Sequence, residues 1–518
     1  MQRRFLASTR DIFVLQNAPG SPIASLDMTT SASSTLDRSY SLQNWQGGHQ
    51  SLKEEYSYWI DEIDGQIPAD LQGTLFRNGP GMLDVNGELL HHPFDGDGMI
   101  CAITFDQGRA HFRNRFVRTE GYVAEQAAGK ILYRGVFGTQ KPGGWMANAF
   151  DLNFKNIANT NVIYWGGKLL ALWEADQPYR LDPATLETIG LDDLSGLLKP
   201  KTPFSAHPRI VPGTDGSRLV NFSVQSGPIT SITVYEFDEA GKCVAERKHT
   251  IPGFAFIHDF AVTEHYYIFF QNPVTLNPFP FLVGLKGAGE CLEFQPSQPT
   301  KIWLIPRDAQ QPVQKLTTDA CFVFHHANSF DQDGKVIVDS VCYDTFPSLD
   351  AGQEFREIDF DTVPSGQLWR FTIDPEAQTV QRECITQHSC EFPTLNPAKA
   401  SHPYQYLFIG ATHTSTRNAP LQSILKLDLK SGDQEQWSAA PEGFVGEPIF
   451  VPKAEADRED AGWILSLIYN AANHRSQLLI LDGENISQGP VARLHLTHHV
   501  PYGLHGTFTP HVFSPVDL

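Results

Sequence analysis

The chain has 518 residues, 41% hydrophobic and 19% charged, and its mean hydropathy of -0.26 is that of a globular protein. A formal net charge of -20 excludes a protein that grips nucleic-acid phosphates, or anionic lipid, by charge alone, since both demand a basic surface. No run approaches the roughly 18 uninterrupted apolar residues of a membrane-spanning helix, and seven scattered cysteines without a C-x-x-C pair exclude a disulfide framework and fit a reduced, cytoplasmic setting.

In chain order, the first segment is poor in core residues. MQRRFLASTRDIFVL begins like a signal peptide, but Arg10 and Asp11 break the apolar run and no clean small-residue cleavage site follows. The stretch from Asn17 to Leu36 is rich in Ser, Thr, Ala and Pro. Residues 1–40 are therefore expected to be a disordered extension and residues 41–518 a single domain, because no linker-like break follows.

The rest of the chain carries a repeated hairpin: a short alternating strand, an Asp that opens a turn, and a second strand. It recurs as AITFDQGRAHF (Asp106), YRLDPATLETI (Asp182), VYEFDEAGKCVAE (Asp238), WLIPRDAQQPVQKL (Asp308), WRFTIDPEAQTVQ (Asp374), LKLDLKSGDQEQW (Asp428) and LLILDGENISQGPVARL (Asp482). Asp suits this place because its carboxylate accepts from backbone N–H groups two residues on, and the flanking alternation marks half-buried strands. Seven copies about 54 to 76 residues apart predict an all-β, seven-bladed β-propeller, with active-site loops and short helices capping one face. A long array of β-sandwiches is the alternative.

Of 19 histidines, His249, His265, His402, His413, His474 and His495 lie in polar or turn-like surroundings. Others sit in or beside apolar, strand-like runs after different hairpin copies: His207 in FSAHPRI, His258 in GFAFIHDFAV, His325 and His326 in CFVFHHANSF, and His505 in VPYGLHGTF. Any one of them could be a hydrogen-bonded core residue. In a propeller, however, inner strands of different blades converge on the axis, so distant histidines can meet around one ion. Their separations are far too long for a local zinc clip. Glu174 in LLALWEADQPYRL, Glu391 in CEFPTLNP and Glu447 in FVGEPIFVP are also flanked by apolar residues, where an unpaired charge is costly. Each either accepts the free ring N–H of a metal-bound histidine or pairs with a buried arginine such as Arg77.

FRNGPG (from Phe76), HPFDGDGM (from His92), AHPR, IHDF, FHHAN, EFP, GEPIFVP and PYGLHG occur in that order. The ordered set, from about Tyr40 to Phe508, resembles the carotenoid cleavage oxygenase family, and within it the bacterial branch that acts on apocarotenoids. The resemblance implies iron(II) held by His207, His258, His325 and His505. His325 is taken because it fits the family's F-H-x-x-N pattern, while strand alternation turns His326 to the opposite face. Glu174, Glu391 and Glu447 match carboxylates that support three of the histidines, with His207 lacking one. Thr160, in IANTN, matches a residue whose methyl sits near the open iron position.

The implied reaction uses O2 to cut the 15,15' double bond of an apocarotenoid, giving retinal or a related retinoid and a second carbonyl product. Stilbenoid cleavage, within the same family, is the competing activity, and a metal-free binding scaffold is a competitor from another class. Such a substrate calls for an apolar tunnel, with Phe94, Trp173, Phe256 and Phe324 as candidate lining. It also has to come from a membrane. In NPVTLNPFPFLVGLKGAG, the residues Phe279, Phe281, Leu282, Val283 and Leu285 are expected to dip into lipid. The expected setting is cytoplasmic, peripheral to a membrane, with neither nucleic acid nor an obligate protein partner.

Overall fold

The computed structural model describes residues 39–347 and 354–513, so most of the expected N-terminal extension lies outside the described residues. From Ser39 the chain forms one compact unit. Ser39 donates its hydroxyl to Gln422 Oε1 at 2.9 Å, and Tyr40 meets Phe360 edge-on.

Among the described residues, seven antiparallel sheets of four or more strands follow one another. Their first strands are Gly506–Thr509 for blade I, Asn161–Trp165 (II), Arg209–Val211 (III), Ala261–Val262 (IV), Phe322–Gln332 (V), Cys390–Thr394 (VI), and the pair Gly443–Val445 and Ile449–Pro452 (VII). First strands touch between blades I and II, III and IV, IV and V, V and VI, and VII and I, which places them around the axis. The ring closes at both ends of the chain: Gly506–Thr509 pairs with Gly73–Met82 in blade I, and Ile63–Gly65 pairs with Pro490–His495 in blade VII.

The seven predicted Asp turns all join the third and fourth strands of a blade, from Asp106 in blade I to Asp482 in blade VII. In five blades the carboxylate accepts the N–H two residues on: Asp182 from Ala184, Asp308 from Gln310, Asp374 from Glu376, Asp428 from Lys430 and Asp482 from Glu484. Asp238 accepts from Lys242 instead. Asp106 precedes Gln107 and Gly108, both with positive φ (48° and 74°), a tight hairpin turn of the primed type.

The core is divided into layers between neighbouring blades. Met99, Cys101, Ile103 and Phe105 of blade I pack against blade VII, whereas Ile100 and Ala102 of the same strand pack against blade II. A middle strand is thus buried on both faces. That is why Gly73–Met82 is buried throughout and only outer strands such as Cys243–Pro252 alternate cleanly.

Connections from second to third strand, and from fourth strand to the next blade, leave on the face where the first strands begin. The helices Glu120–Ala128 and Trp145–Asn148 lie in such a connection between blades I and II, and Phe279–Leu282 lies between the second and third strands of blade IV. This is the capped face the sequence predicts.

Candidate metal centre

Every first strand brings one polar side chain to the capped end of the axis. His505 immediately precedes the strand of blade I and Thr160 that of blade II. His207 and His258 lie just before those of blades III and IV, and His325 lies within that of blade V. Glu391 stands in the first strand of blade VI and Glu447 between the two segments of blade VII. Glu174 alone comes from a second-strand end, after Lys168–Leu172.

The four imidazoles converge. Ring centroids are 4.3 Å apart for His207 and His258, 4.6 Å for His207 and His505, and 4.9 Å for His325 and His505. One ligand nitrogen from each lies within 4.8 Å of the others. Among the described residues, no other cluster of His, Cys, Asp and Glu has metal-binding geometry.

Each carboxylate faces a ring nitrogen on the side away from the centre. His258 Nδ1 lies 2.7 Å from Glu174 Oε2, His325 Nδ1 2.6 Å from Glu391 Oε2, and His505 Nδ1 2.8 Å from Glu447 Oε1. These contacts fix the tautomer so that Nε2 points inward as a ligand atom. Among the described residues the buried Nε2 of His325 has no hydrogen-bond partner, and His207 Nε2 lies 2.9 Å from His258 Nε2. Buried nitrogens crowded together in this way are costly unless something satisfies them. A borderline transition-metal ion suits an all-imidazole donor set, so the residues present fit a metal.

The Glu447 carboxylate faces the His505 ring and also pairs with Arg77. Burial works to raise Glu391 and Glu447, but the His325 ring in one case and the Arg77 guanidinium in the other pull each below the usual carboxylate range. Burial, then the three neighbouring imidazoles, hold His207 well below the ordinary histidine range. Among the described residues no carboxylate is bonded to its ring. His326 turns away from the axis, with Nδ1 2.7 Å from Ser340 Oγ. Thr160 donates its hydroxyl to Asn159 Oδ1 at 3.1 Å.

Residues 49–510 match the family profile described as Retinal pigment epithelial membrane protein. The chain belongs to this family, that of the carotenoid cleavage oxygenases. It is 53% identical to apocarotenoid-15,15'-oxygenase of Synechocystis sp., over 92% of this chain and 98% of that protein. It is 30% identical to isoeugenol monooxygenase of Pseudomonas nitroreducens, over 87% of this chain and 94% of that one. The crystal structure of cobalt-substituted Synechocystis ACO superimposes with a TM-score of 0.90, covering 91% of this chain and 99% of that chain. Like its family, the protein is an oxygenase.

In this oxygenase a mostly apolar cavity of about 390 Å3 is lined by Glu391, Phe392, Phe94, Met99, Trp45 and Tyr502. Phe392 lies 5.7 Å from His325 and 5.4 Å from His505. Of the four tunnel candidates, only Phe94 lines this cavity. Phe324 lies 5.3 Å from His258 and packs with Phe256 on Phe322 and Phe346. Trp173 is buried beside a separate small cavity with Leu90 and Tyr133. Phe392 and Tyr502 lie inside the EFP and PYGLHG motifs and Trp45 outside all of them, so adjacency to a motif, the signal the sequence offers, does not single out the side chains that face the cavity.

The segment expected to dip into lipid is exposed only in part. Phe281 is 9% exposed, stacked on Phe154 with Arg134 over its ring, so it cannot enter lipid. Leu282 and Val283 are half-buried. Short helix geometry is the reason: in Phe279–Leu282, consecutive side chains point to different sides. Phe279 and Leu285 do face outward, and beside them a second excursion presents Trp145, Met146, Phe150 and Leu152, all six between 57% and 76% exposed. The two excursions are joined by Phe150 N–H donating to Leu282 O at 2.8 Å. Arg134, which is buried, donates to the carbonyls of Asn148, Asp151, Phe281 and Lys286. No described helix is long and apolar enough to cross a membrane.

Proposed function

We propose that His207, His258, His325 and His505 bind iron(II), and that the protein cleaves the 15,15' double bond of apocarotenoids with O2 as co-substrate, one oxygen atom ending in each carbonyl product. The observation that carries this reading is the four-imidazole cluster backed by three carboxylates beside an apolar cavity. Identity of 53% to an apocarotenoid-15,15'-oxygenase supports the substrate class. When bound, the ferrous ion supplies the binding and activation of O2.

The chain supplies position. Neutral imidazoles contribute no negative charge, so the ion's full charge stays in the site. Glu174, Glu391 and Glu447 hold three rings in register from behind. Thr160 has its hydroxyl engaged by Asn159, which supports the reading that it offers the centre only its methyl. Phe94, Phe392 and their neighbours exclude water and seat a rigid polyene, so that one double bond lies at the ion.

Aerobic incubation of the iron-loaded protein with a long apocarotenal in mild detergent is expected to yield retinal, and none with His505→Ala. A different aldehyde pair would move the cut to another bond. No cleavage despite one bound iron per chain would exclude the apocarotenoid assignment in favour of phenolic alkenes.

The Trp145–Leu152 and Leu276–Leu285 excursions form an apolar platform on the capped face, and we assign membrane docking to it. With it comes a cytoplasmic location at a membrane surface, consistent with seven unpaired cysteines. The double substitution Phe150→Ser, Phe279→Ser is expected to reduce co-sedimentation with phosphatidylcholine vesicles several-fold. Turnover of detergent-dispersed substrate should persist. Unchanged vesicle binding would remove the platform from consideration.

A further inference from the structure

Three of the four histidines are followed by residues that meet one another beneath the site. Arg209 lies two positions after His207 in blade III, Asp259 one after His258 in blade IV, and His326 one after His325 in blade V. Asp259 is buried and its Oδ2 pairs with Arg209 Nη2. The same oxygen accepts the backbone N–H of His326 at 2.8 Å, while Oδ1 accepts that of Phe260 at 2.7 Å. Arg209 in turn donates Nη2 to His326 O at 2.8 Å and Nε to Phe260 O at 3.1 Å. The pair thus grips both the N–H and the C=O of one residue in each of two neighbouring blades.

The backbone of blade V is prepared for this grip. Its pairing register shifts on both sides of His326, so the strand bulges where His325 turns to the axis. Asp259 and Arg209 occupy the polar groups of the bulged residue. His207 has the most to gain, since no carboxylate holds its ring. Its place depends on its backbone, which is pinned by Ser205 Oγ accepting the His207 N–H, by Asn161 donating to Ala206 O, and by Arg209.

We propose that Asp259 and Arg209 are positioning residues that set the mutual spacing of His207, His258 and His325 and so the affinity and symmetry of the metal site. They do not contact the ion. This rests on reading the four histidines as a metal site.

The test is anaerobic titration of the metal-free full-length protein with Fe(II), repeated with Co(II), whose visible absorption reports ligand geometry. Asp259→Asn, nearly isosteric, is compared with wild type and with Asp339→Asn. Asp339 is also a buried aspartate paired with an arginine (Arg370, 2.7 Å), but it lies in the second strand of blade V, away from the axis. Asp259→Asn should weaken metal binding about 10–100-fold, the range for residues that orient ligands, and shift the Co(II) bands. Asp339→Asn should change stability while leaving both readouts at wild-type values. Arg209→Lys, which keeps the charge but not the fork, should repeat the loss and serves if Asp259→Asn does not fold. Equal metal affinity and spectrum in wild type, Asp259→Asn and Arg209→Lys would overturn the proposal. Absence of metal binding by wild type would instead overturn the underlying reading.

Discussion

On the proposed iron assignment, replacing His325 with alanine is expected to abolish metal binding, with iron content falling from one per chain to a trace and turnover falling with it. The other three imidazoles belong to blades I, III and IV. Without His325 they have no partner on the blade V side, and the loss should exceed the roughly 10–100-fold that removal of a supporting outer residue costs. A complication follows from the structure. Glu391 would keep only the Tyr343 hydroxyl at 2.7 Å and the Phe392 N–H at 2.8 Å, leaving a buried carboxylate without its cationic or metal-bound neighbour. The double variant His325→Ala, Glu391→Gln separates the two effects: it should recover stability without recovering metal. Elemental analysis and thermal unfolding decide between them, and a His325→Ala protein that still held one iron per chain would sink the ligand assignment.

Glu447→Gln is expected to damage both site and scaffold. One carboxylate serves the His505 ring, the Gly506 N–H at 3.0 Å and the Arg77 guanidinium. Arg77 also donates to Leu504 O at 2.8 Å. Backbone bonds tie Leu504 and His505 to Asn78 of blade I, and the Glu447 carboxylate ties the same segment to blade VII. Metal affinity should drop by about 10–100-fold. In addition, Arg77, only 5% exposed, would be left buried without its counter-charge, and breaking such a pair costs about 3–5 kcal/mol. Glu174→Gln is the natural comparison. Glu174 bonds His258 and no arginine, so it should show the affinity loss with little change in unfolding free energy. Chemical denaturation and metal titration on both variants test this; identical unfolding midpoints for Glu447→Gln and wild type would refute the coupling.

Much of this protein is legible in the chain because its signals are local. An Asp turn needs only the residues that follow it, so the blade hairpins stand out wherever they fall. Asp106 and Asp238 turn by other bonds, yet the strand–Asp–strand rhythm survives. Apolar flanks around His207, His258, His325 and His505 are likewise local. The strand-alternation argument that separates His325 from His326 holds even though the strand bulges there. The middle strands were less transparent, since burial on both faces erases the alternation that marks a strand.

What the sequence determined by itself, then, was the repeat, the histidine and glutamate set, and the family. Tertiary structure alone decided which side chains lie together when they are far apart in the chain: Phe392, Tyr502 and Trp45 along one cavity, Trp145 and Phe150 beside Phe279, and Arg209 against Asp259 and His326. It also decided that Phe281 points inward. The physical reason is plainest at Phe281. Direction within a short irregular loop is set by what packs against it, here Arg134 and Phe154, and that partner lies more than a hundred residues away in the chain.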